Sequence, residues 1–105
     1  MVQTRRKNYR VTPRARDDLI NIARYTEATW GKKQRNSYLK AIEQRFEWLG
    51  ENPLFGKHRA DVHQGYYSFP QGQHVIFYLR GNNAIDIIGV LHKEMDVVSY
   101  FQTTM

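Results

Sequence analysis

Apolar and polar residues alternate with a period of two through residues 73–92, QHVIFYLRGNNAIDIIGVLH. That period predicts two strands of a hairpin. In the first, Val75, Phe77 and Leu79 share one face and Ile76, Tyr78 and Arg80 the other. In the second, Ile85, Ile87, Gly89 and Leu91 alternate with Ala84, Asp86, Ile88 and Val90. The second strand is apolar on nearly both faces, as a central, covered strand is. Gly81-Asn82-Asn83 supplies residues that tolerate positive φ, which a short hairpin loop needs.

The preceding sequence reads as material for covering this hairpin. Residues 8–12, NYRVT, alternate as a short strand with Tyr9 and Val11 on one side. Thr12 is a good N-cap and Pro13 suits the first helical position. Ala15, Leu19, Ile22, Thr26 and Trp30 then fall on one helical stripe, widened by Ala23. Asp17 and Asp18 come early enough to favour the helix dipole, and their adjacency argues against a catalytic carboxylate pair. Gly31 interrupts the helix. A second helix from about Lys32 to Gly50 carries Tyr38, Ile42, Phe46 and Leu49 on its stripe, and Gly50 and Pro53 end it. So short a break predicts an antiparallel helical hairpin. Trp48 lies off the stripe, as a cap for the hairpin or a contact for a partner.

No period is visible from Pro53 to Gly65, a loop holding Lys57, His58, Arg59 and His63. Tyr66–Pro70 is a strand turned by Gln71-Gly72 into the central hairpin. Met95, Val98 and Phe101 recur at helical spacing, so residues 94–105 read as a short terminal helix or tail. The order β-α-α-β-β-β(-α) defines an α+β fold: an antiparallel helical hairpin on one face of a small, mainly antiparallel sheet. The strand at 8–12 is expected to join beside one of the later three.

With 105 residues the chain is expected to be one domain, 1–105, with residues 1–7 a loose basic terminus. No apolar run approaches the roughly 20 residues that cross a bilayer. The basic start MVQTRRKNYR has no apolar segment behind it, so no signal peptide is expected. Cysteine is absent, which excludes disulfides, thiol nucleophiles and thiolate metal sites. A cytoplasmic protein without membrane contact is the plain inference. Charge is unevenly placed. Residues 1–59 hold 14 Lys/Arg against 6 Asp/Glu, and residues 60–105 hold 2 against 4, within a net charge of +6. A half at +8 favours an acidic partner, nucleic acid or an acidic protein segment.

The ordered residues also carry a resemblance. Tyr9-Arg10-Val11-Thr12-Pro13, Ala15, Asp18-Leu19, Ile22 and Tyr25 are followed by Trp30-Gly31 and Tyr38. Asn52-Pro53, Gly56, Arg59 and Gly65-Tyr66 come next, then His74-Val75-Ile76-Phe77-Tyr78, Val90-Leu91-His92 and Met95-Asp96. This set, spanning residues 9–96, resembles the ParE branch of the RelE/ParE toxin superfamily of toxin–antitoxin systems. The resemblance implies a toxin that traps DNA gyrase on cleaved DNA and halts replication. It also implies neutralisation by a ParD-like antitoxin, whose acidic C-terminal segment wraps the helical hairpin and sheet. The basic first half suits such a partner, which would bind by helix or strand addition.

RelE-type relatives instead cleave messenger RNA on the ribosome, which needs a base, an acid and cations for the phosphate. Lys57, Arg59, Arg80, His92 and Tyr100 are the candidates for that alternative, Tyr100 as an aromatic base or stacking group. For each, the plainer reading is a solvated or structural one: His58 and His63 solvated in a polar loop, His74 and His92 satisfying backbone groups. His58 and His63, five apart with Asp61 between, lack a second cluster, so neither a metal nor another cofactor is expected. No helix-turn-helix is present, and sequence-specific DNA binding by this chain alone is not expected. Function is therefore expected to lie in surfaces. Lys57, His58, Arg59, His92, Lys93 and Tyr100 are the expected gyrase contacts, with Lys57 and Arg59 open to charge reversal without unfolding. Tyr38, Trp48, Arg35 and Arg45 are the expected antitoxin contacts.

Overall fold

The computed structural model describes residues 7–102. Most of the basic terminus expected at 1–7 and the last residues of the tail therefore lie outside the described residues. The chain runs β1 (Tyr9–Val11), α1 (Pro13–Trp30), α2 (Lys32–Glu51), a single 3₁₀ turn (Pro53–Phe55), β2 (Lys57–His58), β3 (Tyr66–Gln71), β4 (His74–Arg80), β5 (Ile85–His92) and α3 (Val97–Gln102). The strands form one sheet in the order β1-β5-β4-β3-β2. All pairings are antiparallel except β1 with β5. This is the expected α+β architecture with one strand added. The periodless loop after Pro53 contains the 3₁₀ turn and the two-residue edge strand β2, which pairs Lys57 with Ser68 and His58 with Tyr67.

The helix start works as its residues dictate, and it is also tied to the sheet. The Thr12 hydroxyl accepts from the Ala15 N–H at 3.3 Å and donates to the Ile87 carbonyl at 2.9 Å. The Thr12 N–H donates to the same carbonyl at 3.1 Å. Thr12→Ala is expected to lower stability by about 1–2 kcal/mol, measurable as a shifted urea midpoint. At the helix break Gly31 has φ +95°, a value that L side chains rarely adopt. Its N–H closes α1 on Glu27 O, and its carbonyl receives the Arg35 N–H of α2.

Ile22, Ile42, Phe46 and Leu49 of the helical hairpin pack on Tyr9, Ile76, Tyr78, Ile85, Ile87 and Val90 of the sheet. Trp30 departs from its expected place on the α1 stripe. At the last helical position before the break it is 70% exposed.

Strict alternation in β5 is also broken. Phe77 pairs with Gly89 but Tyr78 pairs with Ile87, which leaves Ile88 as an extra, bulged residue. The bulge shifts the pleat by one, so Val90 joins Ile85 and Ile87 beneath the helices, while Gly89 and Leu91 face away with Phe77. The turn chemistry differs too. Among the described residues positive φ is confined to Gly31, Gly65 and Gly72. The tight turn is thus Gly72-Gln73, and the longer Gly81–Ala84 connection needs no left-handed residue.

The far face of the sheet has its own small cover. Phe77 and Leu91 are buried there, and Phe101 of α3 lies with its ring 5.3 Å from Phe77 and 5.0 Å from Tyr66. The stripe expected for this helix, Met95, Val98 and Phe101, is not the one used. Met95 precedes α3, both Met95 and Val98 are exposed, and the packed pair is Tyr100 and Phe101.

Candidate functional site

The cations expected to act together are distributed over both faces of the sheet. Pairing with Ser68 sets Lys57 on the far face, and Arg59, just beyond β2, lies there too, its guanidinium 5.2 Å from the Phe77 ring centroid. Tyr100 packs on that face as well. Arg80 lies on the helix side, where its Nε donates to Pro53 O at 3.0 Å and its guanidinium covers Tyr67 at 3.7 Å. His92 lies on the helix side at the opposite end, beside His74. The five residues named for phosphodiester cleavage therefore do not converge.

Lys57 and His58 are exposed on the edge strand. The His58 ring stacks on Tyr67 at 5.0 Å, and its Nε2 accepts the Gly65 N–H at 3.2 Å. Arg59 is not the solvated loop cation that the sequence suggested. Nε and Nη2 both donate to the Asp61 carboxylate at 3.0 Å, and Nη1 donates to Ser68 Oγ at 3.3 Å. The bonds from Arg59 hold the Asp61 carboxyl below its usual range. His63 bonds to Gln64 O and packs on Tyr66.

Tyr100 is equally engaged. Its hydroxyl donates to Asp18 Oδ2 at 2.6 Å, the same oxygen that accepts the Val90 N–H at 2.9 Å. Arg14 lies over the Tyr100 ring at 3.6 Å and donates to the Tyr100 carbonyl. Gly89 leaves room for this ring, because a Cβ there would lie 3.2 Å from the Tyr100 hydroxyl. Burial and the bond to Asp18 push the Tyr100 hydroxyl well above the ordinary phenol range, which opposes a role as base. Burial also raises the Asp18 carboxyl, against the opposing pull of Tyr100, Val90 and Arg14. Asp18 is thus a pin between α1, the edge of β5 beyond β1, and α3. Its sequence reading as a dipole partner missed this contact.

The residues expected to meet an antitoxin are also tied inward. Tyr38 Oη is 2.6 Å from His74 Nδ1 and accepts the Gln73 N–H at 3.0 Å. Trp48 packs between Phe55 and Phe69 at 5.1 and 5.3 Å. Arg45 lies over Trp48 and donates to Gln71 Oε1 at 2.9 Å, and Arg35 pairs with Glu27. Open clefts remain, and Tyr38 lines one of them. A cleft of about 450 Å³ runs beside β1, lined by Val11, Leu19, Leu39 and Ile42 with Lys7, Lys40 and Glu43 as its charged residues. A second, of about 520 Å³, lies between Trp30, Tyr38, His74 and His92.

Burial, and then His92, lower the pKa of His74 to about 4. Its neutral form is the one that the fold favours. The unfolded chain takes up a proton near 6.5, so the stabilisation is present above that pH and is lost as pH falls toward 4. Acidification across this window is expected to destabilise the wild type more steeply than a His74→Gln variant, read as Tm against pH.

The fold and these surfaces define a small basic α+β domain whose cations are spent on packing or spread over separate faces. A model of the family described as the ParE toxin of the type II toxin–antitoxin system parDE matches residues 9–97. The chain is 36% identical over 90 residues to Toxin ParE1 of Caulobacter vibrioides, covering 86% of this chain and 93% of that one. It is 32% identical over 90 residues to Toxin ParE1 of Mycobacterium tuberculosis strain H37Rv, covering 85% and 92%. A solved structure described as the chromosomal ParDE TA system from P. aeruginosa superposes with a TM-score of 0.71 at 16% identity, over 83% of this chain and 96% of the other. That likeness is one of fold. The chain belongs to the ParE toxin family of type II toxin–antitoxin systems.

Proposed function

We propose that this ParE-family chain poisons DNA gyrase by binding and is held inactive by a ParD-type antitoxin. The observation that carries the reading is the division of Lys57 and Arg59 from Arg80 and His92 by the sheet itself, with the Tyr100 hydroxyl held at the sheet edge by Asp18. Cleavage of a phosphodiester needs a base and cations around one phosphate, and this arrangement supports a toxin that acts through contact surfaces. Lys57, His58, His92 and Lys93 remain as exposed gyrase contacts, with Arg59 and Tyr100 acting as framework on the far face.

For the antitoxin, the cleft beside β1 is the better surface. Its apolar lining suits an amphipathic segment, Lys7 and Lys40 against the single carboxylate of Glu43 suit an acidic one, and β1 is an open sheet edge. The description of the P. aeruginosa structure as a ParDE system supports a partner of this class.

Induction of the chain in growing bacteria tests the reading through parallel labelling of DNA and protein synthesis. Arrest of thymidine incorporation before methionine incorporation, reversed by co-expressed antitoxin, is expected. Early arrest of methionine incorporation would contradict it.

A further inference from the structure

Where α2 ends, the chain leaves an apolar tip in water. Leu54 and Phe55 are 75% and 64% exposed, although each could turn inward if the segment were loose. The tip is braced instead. Asn52 Nδ2 donates to Trp48 O at 2.9 Å, and the Phe55 N–H donates to Asn52 O at 3.1 Å. The buried Tyr78 hydroxyl donates to Pro53 O at 2.8 Å and accepts the Gly56 N–H at 2.9 Å. The Phe55 ring leans on Trp48. Nothing in this arrangement hides Leu54.

Cations ring the tip. Arg80 bonds to Pro53 O and stacks on Tyr67, which His58 also stacks on. Lys57 is exposed two residues beyond Phe55, and Arg45 lies over Trp48. Glu51, at the end of α2, is the carboxylate nearest in sequence. A rigid apolar point flanked by Lys and Arg is the pattern of proteins that push a side chain into a base step while cations neutralise the adjoining phosphates. An apolar pocket on a protein would need the point but not the surrounding cations. A membrane surface would need a wider apolar face.

We propose that Leu54 and Phe55 form a wedge that enters a base step of duplex DNA without regard to sequence, with Lys57 and Arg80 on the flanking phosphates. The biological setting, the DNA held by gyrase, rests on the gyrase reading above. The contact with DNA is a property of this chain and is tested without the enzyme.

The test uses the full chain with fluorescent duplexes carrying 2-aminopurine, read by anisotropy and by unstacking fluorescence between about 50 and 200 mM salt, beside gyrase cleavage of plasmid. Wild type is expected to bind with a log–log salt slope of about −2 and to raise 2-aminopurine fluorescence. Lys57→Gln is expected to reduce the slope by about 1 while the rise persists. Leu54→Ser, at a largely exposed site, and Phe55→Ala are expected to keep the slope, lose the rise and bind roughly ten-fold more weakly. A wild type that leaves duplexes unbound or fully stacked overturns the wedge, whether or not it poisons gyrase. So does a Leu54→Ser variant that loses gyrase poisoning with unchanged DNA binding, which would assign the tip to a pocket on gyrase. A wild type that binds and unstacks duplex DNA but leaves gyrase untouched supports the wedge and removes the gyrase setting.

Discussion

Asp18→Ala is expected to lower the unfolding free energy by about 3 kcal/mol and to loosen α3. One carboxylate oxygen accepts both the Val90 N–H and the Tyr100 hydroxyl, and hydrogen bonds to charged groups contribute about 1.5–3 kcal/mol each. Alanine removes the acceptor for both donors and leaves Arg14 without the carboxylate one helical turn away. Chemical denaturation measures the loss. Hydrogen exchange within residues 97–102 distinguishes an undocked helix from a uniformly weakened fold. Asp18→Asn, which keeps one oxygen, is expected to lose less. The pH dependence has a definite sign. Asp18 titrates above its unfolded value, so its contribution is complete below that value and declines as pH rises through the folded one. The advantage of wild type over Asp18→Asn is therefore expected to shrink as pH rises above the unfolded value of 3.8.

Charge reversal at neighbouring positions is expected to have two different outcomes. Arg59→Glu sets a carboxylate over the Phe77 ring and beside Asp61, where a guanidinium had made three hydrogen bonds. The expected loss is about 2–3 kcal/mol, as for an unpaired charge against a core, with toxicity falling because the protein unfolds. Lys57→Glu, exposed on the edge strand, is expected to unfold at the wild-type midpoint within about 0.5 kcal/mol and still lose gyrase inhibition. Melting curves and a growth assay on both variants separate the two effects. Equal instability, or full toxicity in folded Lys57→Glu, would remove Lys57 from the target surface.

The contrast between Lys57 and Arg59 marks what the sequence conveyed. Local chemistry was legible where one element decides it. Thr12-Pro13 announced a helix start, Gly31 its break, and the apolar periods of α1, α2 and the central hairpin gave the layers. The bulge at Ile88 was hidden, because an extra residue leaves composition unchanged while moving Val90 to the other face. The two-residue β2 was too short to have a period. Asp18 reaches Val90 and Tyr100 across 72 and 82 positions, and no spacing rule connects residues so far apart. Arg59 looked solvated because a loop cation reveals nothing about the Phe77 ring that it covers. The same kind of tertiary contact gave Tyr38, Trp48 and Tyr100 packing partners that no spacing rule indicated.

A purified gyrase reaction, scored for supercoiling and for cleaved plasmid and run beside cell-free translation, tests gyrase poisoning by this chain directly. Lost supercoiling with accumulation of cleaved DNA, suppression of both by an added ParD-type antitoxin, and unchanged translation are expected. Blocked translation with cleaved messenger RNA and untouched gyrase would contradict gyrase poisoning.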